Sequence, residues 1–218
     1  MKNKIIGSKA SLAVALSKLK VFNAQKVKLE QYATDSEIAA TILWLAYMKG
    51  DIEGKIVADM GSGTGILGLG ALLLGAKQVY FVEIDVEAMA IAKDNYNLIK
   101  SEYSLAGEAV FMLNDITEFD NDVEVVVENP PFGIKTEHSD RVFLEKAMTL
   151  SDKIYSLHKS ESSKFMAAFS KDNGFKVSEE LKMEFPLKAS LDYHTKRIHR
   201  FGVTLFVIGR DLSSTNPK

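Results

Sequence analysis

The pattern of hydrophobic and polar positions changes about a quarter of the way along the chain. Before that point, apolar residues recur at helical spacing, and a helix from Ser36 to Lys49 would place Ile38, Ile42, Leu45 and Ala46 on one face. The opening stretch MKNKIIGSKASLAVALSKLK intersperses apolar residues with Ser and Lys, unlike the unbroken apolar run of a signal peptide. It predicts another amphipathic helix.

After residue 55, short runs rich in β-branched and aromatic residues alternate with helical stretches. The strand candidates are KIVADM, QVYFVEID, AVFMLND, VEVVVENPPF, KIYSLH, KVSEELKMEF and FGVTLFVIGR. The alternation predicts an α/β fold with a mostly parallel sheet, helices on both faces and ligands at the carboxyl ends of the strands. The last two runs predict an antiparallel hairpin. Because no linker or repeat interrupts the sequence, we expect one domain over 1–218, with 1–50 as a helical cap and lid and 51–218 as the core.

Composition narrows the possible functions. The chain has 218 residues, of which 46% are hydrophobic, so it can bury a full core, and its net charge of -2 gives no global attraction to nucleic acid. The absence of cysteine excludes disulfides, thiolate metal ligands and thiol nucleophiles, and we expect no metal site. No apolar run approaches the roughly 18 residues of a membrane span. The sequence therefore predicts a soluble, cytoplasmic protein.

The first predicted strand ends in a glycine-rich turn, Asp59-Met60-Gly61-Ser62-Gly63-Thr64-Gly65. Gly61, Gly63 and Gly65 allow a tight turn and close approach of the backbone to a ligand above a helix N-terminus, which predicts a nucleoside cofactor. The spacing disfavours NAD because Ile66 follows the turn, and a P-loop is excluded because no G-K-[ST] follows. The pattern D-x-G-x-G-x-G resembles the first motif of class I methyltransferases, which implies S-adenosylmethionine.

Acidic residues end two further strands. Glu83 lies about 20 residues downstream of the turn, where such folds place a ribose-binding carboxylate. Asp85 could share that role, but its position directly before a helix makes capping the better interpretation. Asp115 follows the next strand, where comparable methyltransferases use an acidic residue for the adenine amino group. The order of turn, acidic strand ends and alternating elements favours a cofactor site over a purely structural turn.

The strand VEVVVE leads into Asn129-Pro130-Pro131-Phe132. Prolines lack an N–H, so the backbone there presents carbonyl acceptors without competing donors, and the residue before a proline is held extended. The Asn129 side-chain oxygen and the Pro130 carbonyl could accept both protons of an amino group such as adenine N6, and so direct its lone pair toward a methyl donor. Phe132 could stack on a base that has left its helix.

This interpretation competes with others. In isolation, Pro-Pro is more commonly a turn and Phe132 a core residue, but the position at a strand end of the same sheet as the glycine turn favours an amino-acceptor pocket. The motif does not by itself specify adenine. Relatives with Tyr at the fourth position methylate a glutamine side-chain amide on protein, which is also a planar NH2 donor.

Further segments resemble the methyltransferase-like protein five family. They are Leu29 to Thr34 (LEQYAT), Asn129 to Gly133 (NPPFG), Tyr155 to Ser160 (YSLHKS) and Tyr193-His194-x-Lys196, and together they span nearly the whole chain. After Lys196 the sequence departs from the family, because Arg197 to Gly202 replace a simpler basic run. The resemblance implies a Rossmann-like, seven-stranded class I fold and methylation of adenosine N6 in small-subunit ribosomal RNA. It also implies a small zinc-containing activator protein as a partner, as in the eukaryotic form.

The resemblance implies roles for individual residues as well. Gln31, Tyr32 and Thr34 would line the methionine end of S-adenosylmethionine, although a packed aromatic is an equally good account of Tyr32. Asp59 and Gly61 would hold the central part of the cofactor, and Asn129 to Phe132 would form the reaction centre. His158 lies where a strand ends, and we interpret it as structural.

A basic stretch from Lys188 to Arg200 is the candidate contact with RNA. Its cationic and aromatic residues suit phosphates and bases; they are Lys188, Tyr193, His194, Lys196, Arg197, His199 and Arg200. A charge run is usually a solvated face, so only the NPPF motif favours RNA here. A second candidate is the segment Lys135 to Arg141. The sequence thus favours an RNA adenine N6-methyltransferase over a protein glutamine methyltransferase or a catalytically silent ribosome-assembly factor.

Overall fold

One sheet organises the computed structural model, which describes residues 4–21, 34–131, 139–187 and 199–212. Within these residues its strands are β1 Ile56–Met60, β2 Gln78–Glu83, β3 Glu108–Leu113, β4 Val125–Glu128, β5 Lys153–Lys159, β6 Phe175–Leu187 and β7 His199–Arg210. Their spatial order is β3-β2-β1-β4-β5-β7-β6. Strands β1 to β5 are parallel, and β7 runs antiparallel to β5 and β6. The predicted mostly parallel sheet with a terminal hairpin is confirmed.

The strand order places the two sequence motifs side by side. From β1 the chain moves outward to β3 and then returns to β4, which pairs with the other side of β1. Ligands of open α/β sheets bind at such a reversal, beyond the carboxyl ends of the strands. Met60 of β1 and Glu128 of β4 are register partners. The glycine turn and the Asn-Pro-Pro segment therefore leave the sheet next to each other.

Six α-helices accompany the sheet in the described part of the chain: α1 Lys9–Leu16, α2 Ser36–Met48, α3 Ile66–Leu73, α4 Val86–Glu102, α5 Ser139–Leu150 and α6 Ser163–Asp172. The helix predicted from residue 36 to 49 is confirmed to within one residue. It begins there because Asp35 caps it, with its carboxylate accepting the N–H of Glu37 at 2.9 Å. None of these helices is long and apolar enough to cross a bilayer.

Apolar side chains cover both faces of the sheet. On β4, Val125 and Val127 point into a cluster with α1, α2 and α3, whereas Val126 points into a second cluster with α5 and α6. This follows from the alternation of side chains along a strand. A central parallel strand buried on both faces reads as an unbroken apolar run, which explains the run of three valines.

The hairpin of β6 and β7 reaches past the end of β5. Lys159, the last residue of β5, pairs with Val203, while β7 begins at His199, opposite Leu187 of β6. Four residues of β7 thus extend beyond β5, about 13 Å at strand spacing. Both strand ends lie on the side where β1 and β4 end. We call this side, formed by the carboxyl ends of β1 to β5, the carboxyl rim.

Candidate active site

The turn after β1 has the backbone that only glycine adopts without strain. Gly61, Gly63 and Gly65 have φ angles of 65°, 54° and 86°. A Cβ added to Gly61 would lie 2.7 Å from Cε1 of Phe143 in α5, so any side chain here would have to displace the Phe143 ring. The predicted glycine turn is therefore present, with bare backbone at the carboxyl rim.

Two buried carboxylates brace this turn. Asp59 accepts the backbone N–H of Gly68 in α3 at 2.7 Å. Glu83 accepts the N–H of Gly63 at 2.7 Å with one oxygen and, with the other, the N–H groups of the two residues that follow it, both at 2.9 Å. Burial raises the pKa of Glu83 and raises the pKa of Asp59 to about 7, against the hydrogen bonds that favour their charged forms. Asp59 thus ties β1 to α3 and Glu83 ties β2 to the turn, whatever they contact in a ligand.

The other acidic strand ends cap helices. Asp85 accepts the N–H of Glu87 at 2.9 Å and caps α4, which confirms the capping interpretation. Asp115 accepts the N–H and the hydroxyl of Thr117, at 2.8 and 2.7 Å, and these bonds lower its pKa. One oxygen of Asp115 is thereby used in a short 3-10 turn. Its role toward an adenine amino group stays a prediction.

Sequence reasoning missed several features of this region. Ser62 lies in the glycine turn, and its buried hydroxyl has no hydrogen-bond partner among the described residues. Ile84, Val86 and Leu113 expose 58%, 64% and 49% of their surface at the ends of β2 and β3. For Ile84 and Val86 the signal was an apolar residue directly beside an acidic residue at a strand end. An apolar surface next to a carboxylate and a bare backbone turn fits an adenosine with its ribose.

At the end of β4, the Asn129 amide is held in one orientation. Its Nδ2 donates to Oγ1 of Thr34 at 2.9 Å, and Thr34 is itself buried just before α2. Oδ1 of Asn129 is buried with no partner among the described residues. Leaving such an acceptor unpaired costs about 1–3 kcal/mol, so this orientation suits an incoming donor. The predicted contact of Thr34 with the cofactor stays a prediction.

The structure brings the remaining predicted residues together only in part. Pro130 is buried and Pro131 half-buried, directly after Asn129 at the carboxyl rim. Gln31, Tyr32 and Phe132 lie outside the described residues. So do positions 188–198 of the basic stretch and most of the segment from residue 135 to 141.

Comparisons with known proteins agree with this geometry. A profile of the ribosomal protein L11 methyltransferase family (PrmA) matches residues 37–134, from α2 through the acceptor motif. The rRNA N(6)-adenosine-methyltransferase METTL5 of Danio rerio is 31% identical over 194 residues, covering 85% of this chain and 91% of the relative. A crystal structure of an RNA methyltransferase candidate from Pyrococcus horikoshii is 42% identical, with a TM-score of 0.83 over 94% of this chain and 99% of that one. The magnesium protoporphyrin IX methyltransferase of Synechocystis, solved with bound SAH, is 14% identical and shares the fold, with a TM-score of 0.61 over 79% of this chain and 81% of that one.

A glycine turn and an Asn-Pro-Pro segment at the reversal of a seven-stranded sheet define a class I methyltransferase, with S-adenosylmethionine as the methyl donor. The sequence identity and the coverage of the relatives identify the family within this class. The chain belongs to the METTL5 family. The resemblance carried by the short motifs is thereby confirmed.

Proposed function

We propose that the protein transfers a methyl group from S-adenosylmethionine to N6 of an adenosine in small-subunit ribosomal RNA. The observation that carries the proposal is the buried Oδ1 of Asn129, which has no partner in the described part of the chain while Thr34 holds the other end of the amide. An NH2 group is the complementary donor. The zebrafish rRNA N(6)-adenosine-methyltransferase and the Pyrococcus structure, described as an RNA methyltransferase candidate, support RNA as the source of this group.

The acceptor site acts mainly by positioning. The amino group donates its two protons to Oδ1 of Asn129 and to the carbonyl of Pro130, and neither Pro130 nor Pro131 has an N–H to compete. Held in this way, the nitrogen directs its lone pair toward the donor site beside β1. S-adenosylmethionine supplies an electrophilic methyl group, whose bond to sulfur breaks as the bond to N6 forms. The nitrogen then releases one proton to solvent, and Phe132 stacks on the base.

The donor site is assigned to the turn and the neighbouring strand ends. Glu83 accepts from the ribose hydroxyls, because it is the acidic end of β2 and already lies against Gly63. Ile84 and Val86 cover the adenine with their exposed apolar surfaces. Asp115 takes the adenine amino group. The further cofactor contacts proposed are Gln31, Tyr32, Thr34, Asp59, Gly61, Gly63 and Gly65.

RNA docks at the carboxyl rim through the basic stretch. β6 ends at Leu187, directly before this stretch, and β7 begins within it at His199; both strand ends extend beyond β5 at the rim that holds both motifs. Because β6 ends and β7 begins at this rim, both ends of the basic stretch meet the sheet on the active-site side. A chain with a net charge of -2 needs such a local cationic surface to hold RNA phosphates.

A small zinc-containing activator protein pairs with the free edge of β3. This strand is at one end of the sheet, and among the described strands it pairs only with β2. Its apolar residues Phe111 and Met112 are half-buried, and Leu113 is 49% exposed. Exposed strand edges with apolar side chains are sites of strand addition. Purification with and without such a partner, followed by light scattering, tests this part of the proposal: a monodisperse, fully active chain alone would remove it.

Partition of a radiolabelled methyl group tests the substrate class. Purified small-subunit RNA and the corresponding ribosomal proteins are offered together to the wild-type enzyme and to Asn129→Ala. We expect label in RNA for the wild type and almost none for the variant. Label in protein would favour a glutamine amide as the acceptor, and no label in either, from a protein that binds S-adenosylmethionine, would favour a silent assembly factor.

A further inference from the structure

A chain of buried polar side chains lies beside the acceptor site and is not used in the transfer described above. Oγ of Ser156 lies 2.6 Å from Oε1 of Glu128 and 2.7 Å from Nε2 of His158. Nδ1 of His158 lies 3.9 Å from Oδ2 of Asp140, an electrostatic contact longer than a hydrogen bond. Glu128, Ser156 and His158 are each at most 1% exposed. Burying three polar groups in this way is costly unless they pair in a defined geometry.

The two ends of this chain lie on different elements of the active site. Glu128 is the last residue of β4 and directly precedes Asn129. Asp140 is in the first turn of α5, the helix whose Phe143 lies against Gly61 of the cofactor turn. Ser156 and His158, two residues apart on the same face of β5, stand between them. Through α5, these four polar side chains thus connect the acceptor end of β4 to the donor turn after β1.

We propose that Glu128, Ser156, His158 and Asp140 form a positioning chain that holds α5 against the acceptor strand, and that the direction of its hydrogen bonds decides whether the outer contact is attractive. The kinetic part of this proposal rests on the methyl transfer proposed above. The structural part does not.

The direction of the hydrogen bonds in the positioning chain depends on whether Glu128 is protonated. When Glu128 is protonated it donates to Ser156, Ser156 donates to Nε2 of His158, and the ring presents its Nδ1–H to the Asp140 carboxylate. When Glu128 is ionised, Ser156 donates to it, Nε2 of His158 donates to Ser156, and Nδ1 presents a lone pair to that carboxylate. The first arrangement attracts Asp140 and the second repels it.

The surroundings make both arrangements accessible near neutral pH. Burial raises the pKa of Glu128 to about 7 and lowers the pKa of His158 to about 4. Among the described residues, the groups that face His158 are Ser156 on its own strand, Asp140 on α5 and the ring of Phe206 on β7. The imidazole therefore stays neutral, and only its tautomer changes when Glu128 titrates.

Imidazole 15N NMR of the cofactor-free protein directly tests the direction of these hydrogen bonds. The resonances of His158 are assigned by their absence from His158→Phe. We expect the Nδ1–H tautomer at pH 5.5 and the Nε2–H tautomer at pH 8.5, with the change centred near the pKa of about 7 for Glu128. In Glu128→Gln the tautomer should not change with pH. A single tautomer across this range in the wild type, or an unchanged switch in Glu128→Gln, would overturn the proposal.

Single-turnover kinetics tests the positioning role. At pH 5.5, where the first arrangement attracts Asp140, Asp140→Asn and His158→Phe should each slow methyl transfer on the order of tenfold by misplacing the reacting groups, while S-adenosylmethionine affinity stays within twofold. The double variant should be no slower than the slower single variant, because both act through one contact. Glu145→Gln, a half-exposed carboxylate on the same helix that pairs with Arg141, is the matched control.

Additive losses, or wild-type rates in both single variants, would contradict the positioning chain. A wild-type enzyme that methylates no RNA would instead contradict the proposed function. The NMR result would still show whether the positioning chain changes its hydrogen-bond direction.

Discussion

The donor and acceptor sides of the active site are built in different ways. On the donor side, carboxylates bind backbone N–H groups a short distance away in sequence: Asp59 binds Gly68, nine residues on, and Glu83 binds Gly63, twenty residues back. On the acceptor side, side chains bind side chains at larger sequence separations, 95 positions for Asn129 and Thr34 and 28 for Glu128 and Ser156.

This difference explains why the donor-side contacts follow from the sequence motif, whereas the acceptor-side motif does not reveal the side chains that bind Asn129 and Glu128. A backbone N–H is present whichever residue occupies a position, so only the carboxylate and the glycines must be specified. A side-chain pair requires two residue types that meet only after folding. We therefore expect substitutions on the donor side to change ligand affinity, and substitutions on the acceptor side to change the rate with little change in affinity.

The largest effect is expected for Asn129→Ala, which removes the only side-chain acceptor assigned to the target amino group. Loss of one such preorganised group costs about 10²- to 10³-fold in rate, and S-adenosylmethionine affinity should stay within twofold. Single-turnover methyl transfer and calorimetry measure the two quantities. A near wild-type rate would break the distinction between the two sides.

Glu83→Ala should weaken S-adenosylmethionine binding by about 1–3 kcal/mol, the scale of leaving buried polar groups unpaired. Part of the loss will come from the turn, because Glu83 also accepts the N–H of Gly63. Calorimetry gives the affinity, and thermal unfolding separates ligand contact from damage to the turn. Asp85→Ala is the matched control: it loses the cap of α4, worth about 1 kcal/mol of stability, and should keep its affinity. Equal affinity losses in the two variants would return Glu83 to a purely structural role.

A charge reversal at Arg197 and Arg200 should weaken RNA binding and leave cofactor affinity intact. Each lost phosphate contact lowers the slope of log affinity against log salt by about 0.7–0.9, so the double variant Arg197→Glu with Arg200→Glu should lose about 1.4–1.8. Binding titrations at several salt concentrations measure the slope. An unchanged slope in a folded variant would leave RNA docking to the segment after Phe132.

The smallest effect is expected for Thr34→Val, which removes the hydroxyl that orients Asn129 but retains the side-chain shape. We expect about a fivefold to tenfold slower methyl transfer, the scale of one lost hydrogen bond of about 1 kcal/mol. Thr34→Ser retains the hydroxyl and should restore most of the rate. Because Thr34 is also a proposed cofactor contact, weaker S-adenosylmethionine binding at an unchanged rate of methyl transfer would show that Thr34 acts only on the donor side and does not position Asn129.

The sequence predicted the fold well because the information is local. The unbroken run of valines in β4, the glycine turn and the Asp85 cap each act within a few residues, and the strand order then follows from few allowed connections. The side-chain pairs were not predictable, since nothing near Asn129 points to Thr34. The sequence pattern places Glu128 only at the end of an apolar strand, and it predicts only a structural role for His158. The sequence also does not show at which rim of the sheet β6 ends and β7 begins, because this depends on the register of Lys159 with Val203.

Nucleoside analysis of the product tests the central claim most directly. Small-subunit RNA lacking the modification is incubated with the enzyme and S-adenosylmethionine, digested to nucleosides and examined by mass spectrometry, with Asn129→Ala in parallel. The account predicts N6-methyladenosine from the wild type, approaching one per RNA molecule, and almost none from the variant. Methylation of another nucleoside, or of protein alone, would contradict it.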